Sequence, residues 1–250
     1  MGRPGREAVI RALPALRDEY HPDLVIANGE NLAHGAGITE RTLGEVLDAG
    51  VDVVTSGNHI FDKDDIRELF LSGAPVVRPY NLKRGGEGKG VLVIKKNDVK
   101  IAIGNIVGAL FMDPLDENPF LAVDALLAEL DNDIAVILID MHAEATSEKR
   151  AMGLYLDGKV SAVLGTHTHV GTADEQILPG GTAYITDVGM VGTSDSVIGM
   201  EKDAVIQAFR GEKTRPKIAD EGEREIYAVC IDIDEQTGRA RSIERIRRTI

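Results

Sequence analysis

The stretch that decides the fold class is DIAVILID, residues 133–140. It is a continuous apolar run rich in β-branched residues, which is typical of a strand buried on both faces of a sheet. Helical patterns lie on either side of it, at 119–130 and at about 145–157, and a further apolar run, KVSAVLG, follows at 159–165. Strands that alternate with helices in this way predict an α/β fold.

Outward from this stretch, apolar runs and amphipathic segments alternate along the rest of the chain. Hairpins are predicted over 90–108, around Asn97-Asp98, and from 225 onward, around Thr237-Gly238, so the sheet is expected to be mixed. No repeat and no linker rich in Pro, Gly or Ser interrupts the pattern, and we therefore expect a single domain over 1–250. The remaining predicted elements are helices over 3–20, 39–50 and 62–73 and strands over 23–27, 51–56 and 182–187.

The composition limits the classes of function. The 250 residues carry 28 Lys and Arg against 41 Asp and Glu, a net charge of −13, which disfavours binding to duplex nucleic acid or to an anionic membrane. No apolar run approaches the ~20 residues that span a bilayer, and the N-terminal sequence has no apolar signal region. A single cysteine, Cys230, excludes a disulfide framework and is typical of a cytoplasmic protein. With this net charge, something other than the overall charge would have to hold an anionic substrate, and metal ions are the obvious candidate.

Polar side chains follow four of the predicted strands at their carboxyl ends. The segment NGEN follows the first strand, GNH the second, MHAE the strand at 133–140, and THTH the strand at 159–165. Because the carboxyl ends of parallel strands meet at one edge of a sheet, where open α/β sheets bind their ligands, we expect these side chains to converge. The candidate ligands and catalytic groups are Glu30, Asn31, Asn58, His59, His142, His167 and His169.

The residue types in this set indicate a pair of divalent metal ions. His167 and His169 are two positions apart, and in an extended chain such residues point to the same side, about 6.5 Å apart. Each can then ligate one ion of a pair whose members lie about 3.5–4 Å apart, and Glu30 can bridge the two. Nitrogen and oxygen ligands without thiolate suit Mn, Fe or Zn in a catalytic site. Such ions polarise a phosphoryl group and activate bound water.

Other polar residues keep more than one interpretation. His21 is interpreted as a surface histidine, and His34 either flanks the pocket or lies apart from it. Asp187 is expected to cap the turn DVGMVG rather than to bind metal. Arg78 and Asn81, in VVRPYNL, either border the site or end a strand, so the substrate-binding residues are left unassigned.

Four motifs in this order, NGEN, GNH, MHAEATSEK and GTHTHV, resemble the calcineurin-like metallophosphoesterases. Longer segments, including NGENLAHGAGIT, GTHTHVGTAD and GTAYITDVGM, are similar to the bacterial YmdB-type branch of cytoplasmic cyclic-nucleotide phosphodiesterases. The resemblance covers nearly the whole chain. It implies a layered α/β sandwich with mixed β-sheets, a dinuclear metal site and a homo-oligomer.

The resemblance also implies a role for each candidate residue. Glu30 would bridge the metals, Asn31 and His169 would bind the first ion, and Asn58, His142 and His167 would bind the second. His59 would donate a proton to the leaving oxygen. The implied reaction is in-line attack by metal-bound hydroxide on a phosphodiester, including 2′,3′- or 3′,5′-cyclic nucleotides.

The chain departs from the family pattern at its N terminus. The family opens with an apolar strand that ends in Gly-Asp-x-x-Gly, whose Asp binds the first metal, whereas here GRPGR at 2–6 directly follows Met1. The first strand is therefore apparently absent. Either the true start lies further upstream, which we favour, or the protein is shortened. In the chain as it stands we expect unpaired edges on the neighbouring strands and a weakened first metal site.

Three functions are compatible with these observations. The first is a dinuclear phosphodiesterase acting on a small phosphodiester or nucleotide. The second is a catalytically impaired regulatory or phospho-ligand-binding protein on the same fold, which the missing Asp supports. The third is a metal-dependent hydrolase of another bond, such as an amide, against which GNH followed by GTHTH argues.

Overall fold

The computed structural model describes residues 1–83, 86–112 and 115–250. Within these ranges helices and strands alternate, as the sequence predicts. The helices are α1 (Gly2–Tyr20), α2 (Glu40–Asp48), α3 (Asp65–Leu71), α4 (Pro119–Ala128), α5 (Thr146–Tyr155) and α6 (Lys202–Phe209). The strands are β1 (Ile26–Asn28), β2 (Val53–Thr55), β3 (Val91–Lys96), β4 (Val99–Val107), β5 (Val136–His142), β6 (Ala162–Thr166), β7 (Gln176–Ile177), β8 (Ala183–Ile185), β9 (Val191–Thr193), β10 (Arg224–Ile233) and β11 (Ala240–Thr249).

The strands form three sheets rather than one. A six-stranded sheet has the order β3-β4-β5-β6-β8-β7, with β4, β5, β6 and β8 parallel and antiparallel strands at both edges. The parallel pair β1-β2 and the antiparallel sheet β11-β10-β9 are separate from it. The mixed α/β class is therefore confirmed. The expectation that all ligand-bearing strands share one sheet edge is wrong, because two of them belong to the β1-β2 pair.

The sheets and helices stack in layers. Helices α4 and α5 pack on one face of the six-stranded sheet, in a core that includes Leu126, Ile139 and Met152. The two smaller sheets pack on its other face, through residues such as Val53 and Ile103 and through the small side chains of a further cluster around β10 and β11. Helices α1, α2 and α3 cover the outer side of β1 and β2. This sandwich places β1 and β2 directly opposite β5 and β6.

The predicted buried strand at 133–140 is confirmed as β5, but it begins later, at Val136, and extends to His142. Met141 and His142 continue the parallel pairing, and His142 lies opposite Val107 of β4 and Thr166 of β6. The polar end of the strand stays buried because its side chains find hydrogen-bond partners on neighbouring strands, which removes the penalty of burying them. His142 is thus placed by a strand and not by a loop.

Both predicted hairpins are present. The β3-β4 turn has Asn97 and Asp98 at φ 47° and 69°, the backbone region that a two-residue type I′ turn requires and that Asn and Asp tolerate. The β10-β11 hairpin turns where the Asp234 carboxylate accepts hydrogen bonds from the backbone N–H groups of Gln236 and Thr237. The register of β10 and β11 shifts at Ile233, consistent with a bulge beside this turn.

A cavity of about 770 Å³ lies between β1, β5, β6 and β10. Its lining is mainly apolar and includes Ile26, Leu138, Leu164 and Ile231. Among the described residues, β1 pairs only with β2, and β10 pairs with β9 over Arg224–Ile226 only. On the cavity side, both strands thus have backbone groups without a strand partner in the described part of the chain. No helix in the described part of the chain is long and apolar enough to cross a membrane.

Candidate metal centre

The candidate ligands come from two sheets that face each other. Glu30 follows β1 and Asn58 follows β2, while His142 ends β5 and His167 directly follows β6. Because both pairs of strands are parallel and their carboxyl ends lie at the same end of the sandwich, the side chains meet between the layers. The convergence predicted from the sequence is therefore present, across two sheets instead of along one edge.

Four of the predicted residues form one compact group, which we call the second-metal group: Glu30, Asn58, His142 and His167. The Nε2 atom of His142 lies 3.0 Å from Glu30 Oε2, 3.2 Å from Asn58 Oδ1 and 3.1 Å from His167 Nδ1. Ligand atoms of Glu30, His142 and His167 all lie within 4.8 Å of one another. Four potential ligand atoms therefore lie together, three of them within 3.2 Å of His142 Nε2.

The position of Gly57 shows that the space between these four side chains has to stay open. A Cβ atom at Gly57 would overlap His142 Nε2 and Glu30 Oε1. Only the absence of a side chain leaves room at the point on which the donors converge. Two imidazole nitrogens, a carboxylate and an amide oxygen are the ligand set that Mn, Fe or Zn accepts. The second-metal group thus fits a divalent ion by both its space and its chemistry.

Asn31 and His169, together with the Glu30 carboxylate that the resemblance assigns to both ions, are called the first-metal group. Here His169 Nε2 lies 3.1 Å from Asn31 Oδ1. The Nδ1 atom of His169 lies 3.0 Å from the carbonyl oxygen of Ile198, so Nδ1 carries the proton. The unprotonated Nε2 faces Asn31 Oδ1, and its lone pair is available to a metal ion. This group offers a single imidazole, whereas the second-metal group offers two.

The expectation that His167 and His169 lie in extended chain is wrong. Strand β6 ends at Thr166, and His167 and His169 have φ values of 95° and 64°. Positive φ is costly for residues with a Cβ atom. As a result the two imidazoles do not point to the same side of the chain. His167 points toward His142, and His169 points toward Asn31.

Burial and mutual contacts set the charge state of the second-metal group. Burial raises the pKa of Glu30, but His142 and the backbone N–H of His59 outweigh it and lower that pKa to about 2. Burial lowers the pKa of His142, but the Glu30 carboxylate prevails and raises it above the ordinary value. Burial and the neighbouring His142 lower the pKa of His167 to about 4, so its imidazole is neutral at pH 7 and free to bind a metal.

His59 stands beside the ligands without joining them. Its backbone N–H donates to Glu30 Oε1 at 3.0 Å, which ties its position to that carboxylate. Its Nδ1 lies 2.7 Å from Asp62 Oδ2, and its side chain is 43% exposed. A carboxylate at Nδ1 holds the proton there and leaves Nε2 directed elsewhere, so Asp62 orients the imidazole. Asp62 was not among the predicted site residues, although it stands three residues from His59, in GNHIFD.

A second network that was not predicted from the sequence supports His142 from behind. The Thr166 hydroxyl donates to Asp140 Oδ1 at 2.6 Å, so it accepts from His142 Nδ1, 2.9 Å away. Asp140 also accepts from Thr55 and Asn28. Neutral His142 therefore carries its proton on Nδ1, which leaves its Nε2 for a metal. Asp140 and His142 are two residues apart, so their side chains lie on the same face of β5. That spacing in the segment IDMH was the sequence signal for this network.

Glu144 supports the other imidazole of the second-metal group. Its Oε2 lies 3.2 Å from Nε2 of His167, on the side away from His142. This contact leaves His167 Nδ1 as the ligand atom. Glu144 belongs to the segment MHAE but was not among the predicted site residues.

The residues with open interpretations lie outside both groups. His21 ends α1 in left-handed geometry and His34 is an exposed loop residue. Arg78 donates to the carbonyl oxygens of Glu87 and Pro79, and Asn81 donates to that of Val107, so both serve the backbone around them.

Asp187 does not join either group. Its Oδ1 accepts the backbone N–H of Gly189, which is the expected turn cap, and its Oδ2 accepts from Lys149 and Thr168. The Lys149 contact was not predicted from the sequence.

Comparison with known proteins shows the family of the chain. The sequence model of the family described as YmdB-like protein matches residues 1–246. A 2′,3′-cyclic-nucleotide 2′-phosphodiesterase of Bacillus subtilis is 47% identical over 246 residues, which cover 98% of this chain and 93% of that protein.

Two solved structures are similar along almost the whole chain. A hypothetical protein from Thermus thermophilus has a TM-score of 0.91 and 43% identity, covering 100% of this chain and 96% of that one. A phosphatase from Mycoplasma pneumoniae has a TM-score of 0.92 and 35% identity, covering 99% and 90%.

Proposed function

The chain belongs to the YmdB-like protein family, and from that premise we propose that it is a metal-dependent phosphodiesterase whose substrates include 2′,3′-cyclic nucleotides. The observation that carries the proposal is the meeting of Glu30, Asn58, His142 and His167 at one point between the two sheets. The similar Bacillus subtilis protein is named for a 2′,3′-cyclic-nucleotide substrate, and this favours that class over 3′,5′-cyclic nucleotides.

The residues of both groups fit a pair of divalent ions in this proposal. Asn58, His142 and His167 would hold the second ion, Asn31 and His169 would hold the first, and the Glu30 carboxylate would serve both. When bound, such ions polarise the phosphoryl oxygens, lower the pKa of a bound water and give an acidic protein a positive site for the substrate phosphate. The chain contributes fixed ligand geometry, since every imidazole has its second nitrogen occupied by a named partner.

His59 is the proposed general acid. Its Nδ1 is held by Asp62, and its backbone is fixed to Glu30 beside the ligands. In the cationic form its Nε2–H can protonate the oxygen that leaves when the cyclic phosphodiester opens. Its partial exposure agrees with a group that meets a substrate entering from solvent.

Hydrolysis of bis-p-nitrophenyl phosphate and of 2′,3′-cyclic AMP with added Mn²⁺ tests the proposal. With 2′,3′-cyclic AMP we expect His59→Ala to lower kcat about 10²–10⁴-fold, the usual contribution of a positioned acid. With bis-p-nitrophenyl phosphate we expect a much smaller loss, because p-nitrophenolate leaves without a proton. Mn²⁺ affinity should change little because His59 is not a proposed ligand. His21→Ala is the matched control and should behave as the unmodified protein. Unchanged kcat in His59→Ala would remove the assigned role, and nucleotide binding without turnover in the unmodified protein would favour the regulatory alternative.

The two groups should bind metal with different affinities. The second-metal group offers two imidazoles, an amide oxygen and the Glu30 carboxylate, whereas the first-metal group shares Glu30 and adds one imidazole and one amide oxygen. Titration with Mn²⁺, followed by calorimetry or by the free-ion EPR signal, should therefore give one tight and one weaker site. Two ions of equal, tight affinity per chain would contradict this prediction.

The finer features belong to the same proposal. The ligand set is compatible with Mn, Fe or Zn, with Mn and Fe preferred for a site rich in oxygen donors. We place the protein in the cytoplasm on the basis of its single, unpaired cysteine, and we propose a homo-oligomer from the family resemblance. Metal analysis of protein purified without added ions, together with its mass in solution, tests both the metal and the assembly.

A further inference from the structure

We propose that Asp187, Lys149 and Thr168 are positioning residues that hold His167 and His169 in their metal-binding geometry. This inference rests on the proposed function, because it concerns the ligands of the two ions. None of the three residues belongs to the first-metal or the second-metal group. Their shared role is to stabilise the loop between β6 and the segment that follows it.

The loop needs such support because of its backbone. His167 and His169 both have positive φ values, 95° and 64°, a region that residues with a Cβ atom seldom occupy unless the surrounding structure enforces it. Residues after a strand would otherwise continue in extended geometry. The two histidines would then point to the same side rather than into two different groups.

Thr168, between the two histidines, is the point of attachment. Its backbone N–H and its hydroxyl both donate to Oδ2 of Asp187, at 3.1 and 2.7 Å. One carboxylate oxygen therefore anchors the middle of the loop by two bonds. A return of His167 or His169 to extended geometry would move the Thr168 peptide, and these two bonds oppose that movement.

The anchor is itself rigid. Asp187 is 1% exposed, and its Oδ1 accepts the backbone N–H of Gly189 at 2.8 Å. Lys149 of α5 is 0% exposed and donates to Asp187 Oδ2 at 2.6 Å. A fully buried lysine is rare and is held in place by its charged partner. The anchor thus connects the histidine loop to helix α5 and to the turn after β8.

The position of Thr168 predicts a pattern that a general loss of packing would not produce. One neighbour of Thr168 belongs to the second-metal group and the other to the first, so loosening it should weaken both ions. The Thr166 hydroxyl, in contrast, contacts the imidazole of His142 and not that of His167 or His169. Removing its hydroxyl should weaken the second ion and leave the first nearly unchanged.

Mn²⁺ titration of Thr168→Val, Thr168→Ser and Thr166→Val tests the proposal, with thermal unfolding as the check of folding. For Thr168→Val we expect affinity about 10–100-fold lower at both sites, the usual effect of losing a partner behind metal ligands. Thr168→Ser keeps the hydroxyl and should stay within about threefold of the unmodified protein. Thr166→Val should lose affinity at the second site only. If Thr168→Val does not fold, Thr168→Ala takes its place.

The proposal would be overturned if Thr168→Val bound Mn²⁺ as tightly as the unmodified protein. It would also be overturned if Thr168→Ser lost as much Mn²⁺ affinity as Thr168→Val. Failure of the proposed function gives a different result, since the unmodified protein would then bind Mn²⁺ without hydrolysing 2′,3′-cyclic AMP or bis-p-nitrophenyl phosphate. If the unmodified protein binds no Mn²⁺, both the proposed function and this inference fall.

Discussion

Replacement of Glu30 by glutamine is expected to lower kcat for 2′,3′-cyclic AMP by more than about 10⁴-fold, a larger loss than that of His59→Ala. Glutamine keeps the size of the side chain and an oxygen that can still accept the backbone N–H of His59. It removes the negative charge that both metal groups share and that lies 3.0 Å from His142 Nε2. The variant should therefore lose affinity for both ions while it stays folded. Steady-state kinetics with a Mn²⁺ titration measures both effects.

Glu144→Gln is the matched control for this variant. It makes the same change on a carboxylate that contacts His167 from the side away from the ligands, 3.2 Å from Nε2. Because amide oxygen can replace carboxylate oxygen as acceptor there, we expect at most about a tenfold loss of Mn²⁺ affinity. A Glu30→Gln enzyme that keeps more than about one hundredth of the unmodified kcat would rule out the bridging role.

The convergence of the candidate ligands was predictable from the sequence, because each segment that carries them follows an apolar run. Glu30, Asn58 and His142 are polar residues at points where the chain leaves a buried strand, and a polar side chain there is either solvated or bound to something. Four such points in one chain favour a shared binding site over four unrelated solvated side chains. The geometry of His167 and His169 was not predictable, since their positive φ values depend on Asp187, which is distant in the sequence.

The elements of the fold likewise divide into those with a local sequence signal and those that depend on distant residues. The long buried strand and both hairpins carry local signals, and all are present as predicted. Helix α6 carries a weak signal, since none of its residues is buried and it has no side-chain cap. The three-residue β9 is defined mainly by pairing with β10, which is about thirty residues away. The separation of β1 and β2 from the large sheet likewise depends on which strands pair, and the apolar pattern of a strand does not specify its neighbour.

The buried lysine is the feature of the core most at odds with the sequence pattern, and its removal should have the largest effect on stability. Lys149→Met keeps the length of the apolar side chain but leaves the Asp187 carboxylate without its cationic partner. Breaking a buried pair on one side costs about 3–5 kcal/mol, because the remaining charge stays desolvated. We expect a decrease of that size in the free energy of unfolding, measured by urea denaturation of the metal-free protein.

Two further variants show whether the charge is responsible. The double variant Lys149→Met with Asp187→Asn removes both charges and should regain a large part of the lost stability, because neutral replacements of a buried pair are often tolerated. Lys100→Met breaks the exposed pair between Lys100 and Asp133, which has the same 2.6 Å separation, and should change stability little because water screens that pair. If Lys149→Met lowers the free energy of unfolding as little as Lys100→Met does, the buried Asp187 carboxylate does not need Lys149 as its partner. If the double variant is as unstable as the single one, the loss comes from packing and not from an unpaired carboxylate.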